Sequence, residues 1–112
     1  MLGVKNIFYE NNNNQLIISI DKESTIKYND MLIQVDNQII FKYIDTFLRI
    51  TNNWQKEYTN STLIDGNNWK LSITFIDGYK KEYNGNRSYP TNFEALERLN
   101  QELIEEVLDE YY

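Results

Sequence analysis

A chain of 112 residues, 41% hydrophobic and 14% aromatic, is long enough for one core that buries roughly 65% of the unfolded surface, and too apolar for disorder. It has no cysteine and no histidine, which removes disulfides, thiolate and imidazole metal sites, and the usual general base or triad partner. The formal net charge is −6, a sign that opposes direct contact with nucleic-acid phosphates.

In chain order, Val4 to Tyr9 reads as a strand. Asn11 to Asn14 is a turn of residues that tolerate left-handed backbone, and Gln15 to Ile20 returns as a second strand hairpinned to the first. Asp21 to Ser24 is a turn. Thr25 to Tyr28 and Met31 to Val35 are two shorter strands interrupted by Asn29-Asp30. The period then changes. Ile40, Tyr43, Ile44, Phe47, Leu48 and Thr51 recur at three-to-four spacing, which predicts an amphipathic helix. Asp36 is its expected N-cap and Asn52-Asn53 its end. Residues 55–68 read as polar and turn-rich, with a short apolar patch at Leu63-Ile64.

Trp69, Leu71, Ile73 and Phe75 alternate with Lys70, Ser72 and Thr74, the period of a half-buried strand. Asp77-Gly78 supplies a hairpin turn, and Tyr79 to Asn84 returns with Tyr79, Lys81 and Tyr83 on one face. Asn84-Gly85-Asn86 is expected to break that strand. Thr91-Asn92-Phe93-Glu94 fits a capping box, after which Phe93, Leu96, Leu99, Asn100, Leu103, Val107 and Tyr111 form a helical stripe. The order β-β-β(β)-α-β-β-α predicts an α+β fold: one mostly antiparallel sheet with helices packed on one face, as a single domain over residues 1–112. No apolar run approaches the ~18 residues that span a bilayer. Met1 to Lys5 shows no apolar core of a signal peptide, so a cytoplasmic protein is expected.

The charge is localised. Residues 1–90 hold ten acids and ten bases; residues 91–112 hold seven acids and one base, Arg98, so 1 − 7 = −6 falls on the last helix. Ordinary surface helices mix Glu with Lys at i,i+4; here only Arg98 can pair, with Glu94 or Glu102. Glu97, Glu102, Glu105, Glu106, Asp109 and Glu110, with the terminal Tyr111 and Tyr112, are the candidate partner-binding residues. The plain alternative is a solvated helix face. Lys80, Lys81 and Arg87 form a small basic patch expected to face the acidic helix or water. Nine tyrosines suit an interface, since each pairs large area with a polar tip; the plain alternative is that most are partly buried core or rim. Trp54 and Trp69 are expected core anchors.

The residues Trp69, Asp77, Gly78, Gly85, Tyr89, Pro90, Asn92 and Phe93, in WKLSITFIDGYKKEYNGNRSYPTNFEAL, carry a resemblance. The segment resembles an element of small, mostly uncharacterised proteins of Gram-positive bacteria and their phages and mobile elements. In these a Trp-led hairpin with a D-G turn is followed by G-x-x-x-Y-P-x-N-F and a helix. The matching residues are turn, cap and core types, so the resemblance implies a fold and no activity. In size, charge and composition the chain is also similar to small acidic anti-CRISPR inhibitors.

No catalytic, cofactor-binding or metal-binding residue is expected. Asp65-Gly66-Asn67-Asn68 lacks the twelve-residue ligand pattern of a calcium loop, and no glycine-rich phosphate loop occurs. The leading expectation is a non-catalytic protein-binding protein. In its most concrete form it is a phage or mobile-element inhibitor that sets its acidic helix against a basic nucleic-acid-handling partner. A structural module or homodimer of a bacterial complex, or a toxin-immunity protein, is the alternative.

Overall fold

The computed structural model describes residues 3–20, 23–59 and 68–111, leaving the side chains of Glu110 and Tyr111 and the whole of Tyr112 outside the description. The elements are β1 (Val4–Asn11), β2 (Asn14–Ile20), β3 (Ser24–Tyr28), β4 (Met31–Gln34), α1 (Asn37–Thr51), β5 (Glu57–Thr59), β6 (Asn68–Phe75), β7 (Lys80–Asn86) and α2 (Phe93–Tyr111). The strands form one sheet in the order β4-β3-β2-β1-β6-β7-β5, antiparallel except for β5 against β7. The fold is α+β, as the alternation of periods predicts.

Turn chemistry sets the register of the meander. Asn12 and Asn13 both take positive φ, 52° and 69°, which closes a two-residue hairpin with Asn11 opposite Asn14. Asn29, at φ 52°, turns β3 into β4. Gly78, at φ 92°, does the same between β6 and β7, where its N–H donates to the Phe75 carbonyl at 2.9 Å. Val4 and Ile7 are both buried although three residues apart. A register shift between Val4 and Asn6 in the β1–β6 pairing accounts for it, because a bulge inserts one residue and restores the inward face.

The inward face carries Ile7, Leu16, Ile18, Ile26, Ile33, Trp69, Leu71 and Ile73, against which Ile40, Tyr43 and Phe47 of α1 and Phe93, Leu96, Leu103 and Val107 of α2 pack. Asp36 caps α1 as expected, its carboxylate accepting from the Gln38 N–H at 2.8 Å. The two helices run antiparallel. Asn92, just before α2, donates from its amide to the Ile50 carbonyl at 2.8 Å, and eight residues on Asn100 meets Tyr43.

Two sequence expectations are corrected. Within the stretch read as polar and turn-rich lies a short strand, β5, parallel to β7; Leu63-Ile64 and Asp65-Gly66-Asn67 lie outside the described residues. β7 also does not break at Asn84-Gly85-Asn86 but runs through it, because β6 pairs with these residues on one side and β5 on the other. Ladder hydrogen bonds on both edges outweigh the weak strand propensity of Asn and Gly.

Candidate functional site

The motif from Trp69 to Phe93 builds the structural joint that sets α2 on the sheet. The Trp69 indole lies across Gly85 of the neighbouring strand. A Cβ there would stand 2.0 Å from Trp69 Nε1 and 2.5 Å from the Ser88 carbonyl oxygen. Trp69 Nε1 donates to that carbonyl at 2.9 Å. Tyr89 stacks on Trp69 with rings 17° apart, and Phe93 lies 5.0 Å from the indole centroid. Trp54 meets Trp69 edge-on and donates from Nε1 to Asn92 Oδ1 at 2.7 Å. Asn92, with one bond to Trp54 and one to Ile50, therefore ties the end of α1 to the start of α2. Trp69 is buried and Trp54 half-buried, the anchors expected of them.

From this joint α2 presents its other face to water. Glu94, Glu97, Glu102, Glu105, Glu106 and Asp109 are all exposed. Among the described residues the ion pairs are Arg49–Asp45 and Lys80–Glu82. Arg98 thus stands more than 4 Å from both Glu94 and Glu102. At 100° per residue, Glu94, Arg98, Glu102, Glu105 and Asp109 share one ridge of the helix, flanked by Glu97 and Glu106 on opposite sides. Four of the carboxylates fall in the eight residues 102–109, about 12 Å of helix, or about one charge per 3 Å. A single nucleic-acid strand carries one per about 3.4 Å and a duplex one per about 1.7 Å. Glu110 and Tyr111 belong to α2, but their side chains, like Tyr112, lie outside the described residues.

Lys80 and Lys81 of the basic patch are exposed to water, and among the described residues neither pairs with a carboxylate of this helix. Lys80 pairs with Glu82 at 3.1 Å, and Lys81 stands 5.9 Å over the Phe75 ring at the far end of the β6–β7 hairpin. Of the tyrosines, Tyr43 and Tyr83 are core, and so is Tyr9, whose hydroxyl burial pushes its pKa up to about 12; Asn11 partly offsets this and the nearby Glu97 adds to it. Burial likewise raises Tyr43 and Tyr83. Tyr79 and Tyr89 remain exposed.

Two further surfaces escaped the sequence reading. An apolar groove of about 400 Å³ lies between α1 and the rim of the sheet, lined by Val4, Ile20, Phe41, Ile44, Leu48 and Ile76; Phe41 is 56% and Ile76 71% exposed. Among the described residues no helix covers the opposite face of the sheet. A lateral row across it reads Leu32, Lys27, Ile17, Phe8, Ser72, Glu82. A shallow concavity of about 520 Å³ sits there over β6 and β7. The signal for both lay in the outward residues of strand and helix periods, which single-element patterns do not assemble into surfaces. Among the described residues no group of three or more acidic side chains is placed to hold a metal ion, and no helix is long and apolar enough to cross a membrane.

Comparison with protein-family models, with curated proteins and with solved structures gives no match.

Proposed function

We propose that this chain is a non-catalytic cytoplasmic binding protein that docks the acidic face of α2 on a basic, nucleic-acid-handling protein, as a phage or mobile-element inhibitor of the anti-CRISPR kind would. The observation that carries this is the row of exposed carboxylates that have no cationic partner among the described residues, at the charge spacing of one nucleic-acid strand. Leaving like charges side by side costs a few tenths of a kcal/mol per i,i+4 pair. A basic partner recovers that cost on binding, and the same field speeds its approach. An immunity protein that covers a basic toxin site would use the same face.

The test is affinity capture from source-cell lysate at low and high salt, followed by calorimetry on the captured protein. The reading expects one basic nucleic-acid-handling protein, lost at high salt and bound at least tenfold more weakly by the Glu102→Gln, Glu105→Gln, Glu106→Gln variant. Equal binding by that variant removes the charge mechanism. The groove at Phe41, Leu48 and Ile76 favours a second reading, a structural module of a larger complex. On that reading association survives salt and is lost with Phe41→Ser.

A further inference from the structure

We infer that the outer edge of β4 receives an extended, basic segment of the partner protein as an eighth strand. This surface rests on the basic-partner reading above and adds where a second element of that partner would sit.

The backbone register comes first. The Val35 N–H donates to the Ser24 carbonyl at 3.0 Å. Ile33 faces Ile26 and Met31 faces Tyr28 on the same ladder. Hydrogen-bonded and non-hydrogen-bonded pairs alternate along an antiparallel ladder. Met31, Ile33 and Val35 therefore turn their peptide groups toward β3, and Leu32 and Gln34 turn theirs outward. Among the described residues no strand pairs with that edge.

Natural edges are usually protected by a lysine, a proline, a bulge or a covering element. Met31 to Val35 contains no charge and no proline, and Leu32 is 67% and Met31 39% exposed. The edge offers two outward donor–acceptor pairs and side chains of alternating face, the geometry of strand addition.

Charge decides the occupant. Asp30 and Asp36 stand exposed at the two ends of this uncharged strip, and among the described residues neither is in an ion pair. A second copy paired antiparallel over Leu32 and Gln34 would set Asp30 against Asp36 of that copy at both ends, between chains that each carry −6. A segment with Lys or Arg at its ends, about 20 Å apart at the rise of a strand, meets both acids instead.

The probe is the synthetic peptide Lys-Val-Thr-Val-Thr-Val-Lys with blocked ends, against its counterpart with Glu at both ends, titrated into the full chain. Amide chemical shifts and hydrogen exchange report the site. The expected result is protection of the Leu32 and Gln34 amides and binding of the Lys peptide about tenfold tighter than the Glu peptide. The preference disappears in Asp30→Asn, Asp36→Asn, where Asn still caps α1. Gln34→Pro removes an outward N–H without removing a bond to β3, so it abolishes binding while the circular dichroism spectrum is kept. Shifts confined to α2, no shift at β4 at millimolar peptide, or β4 amides protected by self-association would each overturn the inference. The Glu102, Glu105, Glu106 variant separates the two proposals: it leaves peptide affinity at β4 within about twofold. Failure of that variant to weaken the captured partner touches only the proposed function.

Discussion

Single residues set the joint between sheet and helix, and Gly85 is the clearest. It sits in a strand, where glycine ordinarily weakens the ladder. The reason is steric: the Trp69 indole occupies the space of a Cβ. Gly85→Ala is expected to cost about 3 kcal/mol, the upper range for an overpacked core, because the indole cannot move without losing its bond to Ser88. Urea denaturation gives the number; a loss below about 1 kcal/mol would show that the indole can be displaced. The sequence signalled this residue only as a turn former. The requirement for glycine comes from a side chain sixteen positions away, which no local pattern reports.

At the scale of elements, α1 and α2 are joined by a polar contact inside an apolar layer. The buried Tyr43 hydroxyl donates to Asn100 Oδ1, and Asn100 Nδ2 finds no partner among the described residues. Removing one member leaves a buried group unsatisfied, while replacing both by apolar groups is close to neutral. Tyr43→Phe and Asn100→Leu are each expected to cost about 1–3 kcal/mol, and the double variant clearly less than their sum. Additivity in a double-mutant cycle would refute the coupling. Most elements were legible in the sequence. The two helices, the β1–β2 and β6–β7 hairpins and the Asp36 cap follow from periods and turn residues alone. Asn100 was visible as a polar residue in an apolar stripe, but not its partner. β5 was not legible: three residues of mixed polarity have no period to read, and they form a strand because β7 offers an open edge. The acids of α2 were legible as a charged face, and their exposure follows from the stripe opposite them. That they form no ion pair among the described residues needed coordinates.

For the molecule as a whole, buried tyrosines govern its behaviour in alkali. Tyr9 is raised from its ordinary value of 10.0 to about 12, and Tyr43 and Tyr83 are raised in the same direction by burial. A pKa higher in the folded than in the unfolded chain means that the folded chain holds the proton longer. This stability is fully present below pH 10 and is lost as pH rises through the folded values. Between pH 10 and 12, Tyr9 alone contributes a decline of about 1 kcal/mol per pH unit. Urea midpoints measured over that range should fall, and Tyr9→Phe should flatten the decline. A flat profile in the parent protein would contradict the burial of these hydroxyls.

The placement of β1 has a consequence for how the protein is made. β1 is the middle strand of the sheet, yet its two neighbours come from distant parts of the chain: Asn11 faces Asn14 on one side and Trp69 on the other. The ribosome adds about 5–20 residues per second. The 34 positions from the end of β4 to the start of β6 (68 − 34) therefore take about 2–7 s. Throughout that interval the nascent four-stranded meander has an open border along β1, the strand that later becomes its centre. Ile7 and Tyr9 have by then met β2 but not Leu71 and Ile73. The newborn chain thus passes through a stage in which the border that later becomes its centre is bare, and a holding chaperone or a slow-down in translation over this stretch would act on that stage.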